Sequence, residues 1–212
     1  GVGIRVVQDD QTGYAYSEDF DLKPMIHAAR TAASISSRGE ISLDNAYRFN
    51  ELVPKDYYPV LETVSDMELV QKIELVQCTE AVARDYDKRI NRVTVAMMDA
   101  INLTQVVTSE GQIMRDTRPM FRMNVHCLSQ EGENIQNGTS GIGGRVGLDF
   151  LKKADYPVIL GEQAASEAIL LLGAKQAPSG LMPVILGPAQ SGILLHEAVG
   201  HPLEADFNRK GT

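Results

Sequence analysis

Apolar and polar positions in this chain follow two rhythms, and the switch between them marks the elements. A β-rich run over residues 3–8, turn residues from Asp9 to Gly13 and a second extended run over residues 14–17 predict a hairpin. Residues 22–35 read as a helix, with Pro24 in the first turn, where an amide hydrogen has no helical partner to lose. The stretch 36–58 is polar and turn-rich and predicts no regular element. Ser65-Asp66-Met67-Glu68 has the form of a capping box. Behind it, Leu69, Ile73 and Val76 make one apolar stripe, and Glu68–Lys72 and Glu80–Arg84 are i,i+4 ion pairs, so a helix is expected to about Arg89.

Three strands are predicted next, over residues 92–98, 103–109 and 112–128, the last bending at Pro119. The connections Asp99-Ala100-Ile101-Asn102 and Glu110-Gly111 are short enough for antiparallel hairpins. Phe121, Met123, Val125 and Cys127 alternate with Arg122, Asn124 and His126, which places Cys127 on the inward face and His126 on the outward one. A glycine-rich tract over residues 132–147 reads as a flexible turn, followed by a helix near residues 162–172. A break from Gln176 to Gly180 precedes an apolar strand over residues 182–186, and the domain boundary is placed there. The expected fold class is α+β: an N-terminal α/β domain (residues 1–176) with antiparallel sheet and helices, then the beginning of a second domain (residues 177–212).

Composition narrows the class without changing this picture. The chain has 212 residues, 43% of them apolar and 23% charged, as in ordinary globular domains. A formal net charge of −8 opposes a footprint for nucleic-acid phosphates. No apolar run is long enough to cross a membrane as a helix. Two cysteines, Cys78 and Cys127, are far too few for a disulfide framework, and no secretion signal is visible, so a cytoplasmic location is expected. The chain opens inside a strand pattern without a methionine and closes just after its most chemical motif; part of a longer protein is expected.

Most candidate chemistry is weak. The tract Asn137-Gly138-Thr139-Ser140-Gly141-Ile142-Gly143-Gly144-Arg145 matches neither phosphate-binding glycine pattern. His27 and His126 lack partners at ligand spacing, and His126 and Cys127, adjacent on a strand, point to opposite faces. His196-Glu197-Ala198-Val199-Gly200-His201 is different. In zinc peptidases with His-Glu-x-x-His, two imidazoles share one helix face and the glutamate is general base on a water activated by the metal. Here the histidines stand five apart, and a regular helix would leave them about 140° apart. A single π-type turn removes the mismatch, and Gly200 and Pro202 favour such an irregularity.

The run from His196 to Thr212, His-Glu-Ala-Val-Gly-His-Pro-Leu-Glu-Ala-Asp-Phe-Asn-Arg-Lys-Gly-Thr, resembles the signature of the TldD/PmbA metallopeptidases, in particular the TldD branch once described as modulators of DNA gyrase. Residues 182–187, 192–195, 1–7 and 12–17 and the glycine-rich tract are also similar to it. The resemblance implies a zinc peptidase in which an N-terminal α/β domain leads into a mainly β domain housing the metal. It implies His196 and His201 as zinc ligands, Glu197 as the catalytic glutamate, and a third ligand, a cysteine, downstream of Thr212. Glu204 is the only nearby substitute for that ligand, so the 212 residues by themselves are expected to hold zinc poorly and to be inactive. It further implies unstructured peptide substrates and a TldD- or PmbA-like partner subunit. The competing reading is a non-hydrolytic interaction protein that modulates DNA gyrase or another partner.

Overall fold

In the computed structural model of the chain, the described residues are 1–36, 48–53, 55–188 and 190–211. They divide into two compact units. One comprises Gly1–Met67, Met98–Arg122 and Gly143–Ala154; the other comprises Glu68–Met97, Met123–Ile142 and Asp155–Thr212. The fold is α+β, as expected.

In the first unit, β1 (Val2–Gln8) and β2 (Gln11–Ser17) form the predicted antiparallel hairpin, with Gln8 opposite Gln11. The turn is shorter than expected: Asp9 alone takes a left-handed conformation, φ 51°, which a short polar side chain tolerates, and Gln11, Thr12 and Gly13 join the ladder. Helix α1 (Leu22–Ser36) buries Ala28, Ala32 and Ala33. It lies so close to β2 that a Cβ on Gly13 would sit 1.8 Å from the Ala32 carbonyl oxygen. Within the stretch expected to be irregular, β3 (Asn50–Leu52), too short to show alternation, pairs in parallel with residues 112–114. Residues 37–47 of that stretch lie outside the described residues.

Two of the predicted strands are one. β4 (Ile90–Val107) runs unbroken through Asp99-Ala100-Ile101-Asn102, so the expected first hairpin does not exist. A polar residue in mid-strand needs a partner, and Asp99 has one: its Oδ2 accepts a hydrogen bond of 2.7 Å from Ser65 Oγ. The same bond removes Ser65 from the expected capping box. Thr63 and Asp66 instead close a short 3₁₀ turn (Val64–Asp66), with Thr63 N–H donating to Asp66 Oδ2 at 2.9 Å. β4 turns through Thr108–Gly111 into β5 (Gln112–Glu131), which also pairs with β6 (Asn134–Gly144). A short helix, α3 (Leu148–Leu151), closes the first unit, its Leu148 N–H donating to Glu62 O at 2.9 Å.

The second unit is built around α2 (Leu69–Asp85) packed on α4 (Tyr156–Leu172). Glu68 caps α2, its N–H donating to Gln71 Oε1 at 3.3 Å. The helix stops before Arg89 because Asp87 gathers the Arg89 backbone and side chain into a turn that launches β4. The expected stripe is not the buried face: Leu69 is 69% and Ile73 45% exposed, whereas Thr79 and Ala83 are fully covered. Small residues win because the two helices nearly touch; a Cβ on Gly161 would lie 2.9 Å from Thr79 O.

The glycine-rich tract is likewise no flexible turn. Most of it is strand β6, and Gly138 lets helix and sheet backbones meet: a Cβ there would lie 2.1 Å from Ala164 O and 2.4 Å from Ala168 N. Behind it, Met123, Val125 and Cys127 are buried and His126 is exposed, as the alternation predicts. Buried Ser129 donates to Ala168 O at 2.7 Å. After α4 the predicted strand over residues 182–186 is absent; the segment has no regular secondary structure, with Val184 69% and Ile185 98% exposed. Two short helices, α5 (Gln190–Leu195) and α6 (Ala205–Lys210), flank the His-Glu motif. Among the described residues no helix is long and apolar enough to cross a membrane.

Candidate metal centre

Helix α5 widens at its C-terminal end into a π turn over His196–Gly200, followed by a 3₁₀ turn over His201–Leu203. The backbone N–H of His201 donates to His196 O, five residues back, which is the defining bond of a π turn. Pro202 has no N–H to offer and Glu204 N–H returns to His201 O at 3.0 Å, so the wide turn cannot relax into a continuing α-helix.

This widening overcomes the angular mismatch of an i,i+5 pair. The two imidazole centroids lie 4.5 Å apart with their planes at 63°. One donor atom each from His196, Glu197 and His201 fall within 4.8 Å of one another. Glu197 Oε2 is 3.4 Å from His201 Nε2. All three side chains are exposed, so nothing described covers the cluster. Gly200 sits close to the first ring: a Cβ there would lie 3.2 Å from His196 Nδ1.

Glu204 stands outside the donor cluster. Its Oε1 lies 2.5 Å from His201 Nδ1, the ring nitrogen opposite the one facing Glu197. The spacing i,i+3 on a helical turn could have pointed to that contact. The other sequence candidates stay apart from the cluster. His27 and His126 are exposed on α1 and β5, and Cys78 is exposed on α2. Cys127 is fully buried, and burial pushes its thiol up to about 11, which withholds the thiolate a metal needs. Two imidazoles beside a carboxylate, all reachable from solvent, suit a borderline cation such as zinc.

Two imidazoles and a carboxylate gathered on one turn of an α+β chain are a donor set of the kind that metalloenzymes use. Residues 1–36 match the PmbA/TldA metallopeptidase domain 1, and residues 62–172 match the PmbA/TldA metallopeptidase central domain. The chain belongs to the PmbA/TldD metallopeptidase family. Among its relatives, the metalloprotease TldD homologue of Haemophilus influenzae is 34% identical over 99% of this chain and 44% of that protein. The TldD homologue of Buchnera aphidicola from Acyrthosiphon pisum is 31% identical, over 100% of this chain and 45% of its own length. A metalloprotease of Methanocaldococcus jannaschii is 28% identical, over 98% and 46%. The chain therefore spans a little under half the length of these relatives. Among solved structures, a Thermotoga maritima protein described as a modulator of a DNA gyrase superposes with a TM-score of 0.60. At 18% identity over 84% of this chain and 39% of that one, it shows the shared fold.

Proposed function

We propose that this chain carries the metal-binding helix of a zinc-dependent peptidase, with His196 and His201 as ligands and Glu197 as general base. The observation that supports it most is the convergence of His196, Glu197 and His201 donor atoms within 4.8 Å, achieved only through the π turn. Zinc, when bound, would polarise the scissile carbonyl and make water a stronger acid. His196 and His201 would hold it, together with a third ligand from outside the described residues. Glu197, adjacent in sequence to a ligand, takes the proton of the attacking water and delivers it to the departing amine nitrogen. An unstructured peptide fits this arrangement, because an extended chain can bring one backbone carbonyl to an exposed centre. A TldD- or PmbA-like subunit would complete the assembly, and the metal-binding domain would begin at Ala177.

Two variants of the full-length protein test the reading. Glu197→Gln should keep its zinc and its fold and lose peptide hydrolysis by several orders of magnitude, and His196→Ala should lose both zinc and activity. Near wild-type cleavage of an unstructured peptide by Glu197→Gln would remove Glu197 as the base and favour a non-hydrolytic modulator.

A further inference from the structure

The imidazole of His201 stands between two carboxylates: Glu197 Oε2 lies 3.4 Å from Nε2, and Glu204 Oε1 lies 2.5 Å from Nδ1. The two contacts differ in kind. The Glu204 contact is within hydrogen-bond reach, and because an ionised carboxylate only accepts, the bond requires the proton on Nδ1 when the ring is neutral. On the other side Glu197 Oε2 stands 3.4 Å from Nε2, a looser approach than the Glu204 contact, so Nδ1 has the stronger claim on the single proton of a neutral ring.

Glu204 is not free to wander. Its backbone N–H donates to His201 O at 3.0 Å and its carbonyl accepts from Asn208 N–H at 3.1 Å, as the N-cap of α6. Asn208 Nδ2 then ties down the turn from the other side, donating to Leu203 O at 2.8 Å and Glu204 O at 3.1 Å. The main chain that carries the carboxylate is thus fixed at both ends, and the side chain reaches the ring across one 3₁₀ turn.

We infer that Glu204 is a positioning residue: it locks His201 in the Nδ1–H tautomer and aims Nε2 into the His196–Glu197 cluster. Glu204 therefore supports a ligand from behind and does not substitute for one. The tautomer holds in the metal-free protein; the consequence for zinc rests on the function proposed above. Outer carboxylate partners of ligand histidines fix ring orientation and raise basicity, and losing one typically weakens metal binding by about 10–100-fold.

The test uses full-length protein with ¹⁵N-labelled imidazoles, metal-free, at a pH above histidine titration, with His201 assigned by its absence in His201→Ala. The ¹⁵N shifts of wild type should report Nδ1–H at His201. Glu204→Ala should move the ring towards the Nε2–H form that free imidazole side chains prefer in water. Glu204→Gln, whose amide oxygen still accepts, should largely restore Nδ1–H. Zinc affinity, measured by competition with a chromophoric chelator, should fall about 10–100-fold in Glu204→Ala and recover in part in Glu204→Gln. A wild-type His201 carrying its proton on Nε2, or a tautomer unmoved by Glu204→Ala, overturns the inference. If zinc binding is instead indifferent to His196→Ala, the zinc reading fails while the tautomer result stands.

Discussion

The backbone N–H of His201 bonds to the carbonyl oxygen of His196, and that one five-residue step brings the two imidazoles to 4.5 Å. In an unbroken α-helix the same residues would face directions about 140° apart. The candidate metal centre is therefore a property of a backbone irregularity as much as of its side chains.

The irregularity leaves little room beside His196. With a Cβ on Gly200 already 3.2 Å from His196 Nδ1, the branched side chain of Gly200→Val must push the ring aside. Zinc affinity should fall by about 10–100-fold, the range for losing the support of a ligand, with the far-UV circular dichroism unchanged. An unaltered dissociation constant in a chelator competition would show that the ring has space to spare.

Close helix–sheet contact makes Gly138 a stability position. Gly138→Val places carbon against Ala164 O and Ala168 N and should destabilise by about 3 kcal/mol, the upper part of the overpacking range. For a domain of this size that lowers Tm by about 2–4 °C per kcal/mol. Gly187→Ala, where nothing lies within 4 Å, is the control and should change stability by less than about 0.5 kcal/mol. Thermal unfolding of the two variants separates a packing requirement from a general intolerance of glycine replacement.

The two cysteines should be told apart by a thiol reagent. Exposed Cys78 should react in the native protein, and Cys127, fully buried on β5, only on unfolding. Burial raises the Cys127 thiol from 9.0 to about 11, so between those values the unfolded chain gives up a proton that the folded one keeps. The stabilising contribution is whole below about 9 and is lost as pH rises towards about 11. Urea midpoints measured across that interval should fall in wild type and fall less in Cys127→Ala.

Asp87 should titrate well below other aspartates. The Arg89 side chain, and after it the Arg89 backbone N–H, hold its carboxyl at about 2 against an ordinary 3.8. Arg89→Ala removes the larger cause and leaves the smaller, so the carboxyl should rise but stay below 3.8 in an NMR titration. Its contribution to stability is present above 3.8 and is lost as pH falls towards about 2.

What was legible in the sequence is whatever a short window contains. The β1–β2 hairpin, α1, the alternation that buries Cys127 and the need for a wide turn between His196 and His201 all follow from residues within a few positions of one another. Local alternation and turn chemistry state which face is apolar and where a regular hydrogen-bond ladder must fail.

Tertiary structure decided everything that depended on a distant partner. Asp99 reads as a turn residue until Ser65 satisfies it from 34 positions away and lets β4 run on. Gly138 of β6 reads as flexibility until α4 presses against it, and Leu69 and Ile73 read as core until Thr79 and Ala83 take the contact with Gly161. In each case an approach between remote backbones sets the requirement, and a helix that packs at backbone distance selects small residues over the apolar ones a local pattern favours. The candidate centre stays on the local side of that division: residues 196–201 supply the donors and the wide turn, and Glu204, three residues past His201, meets its Nδ1 across a single 3₁₀ turn.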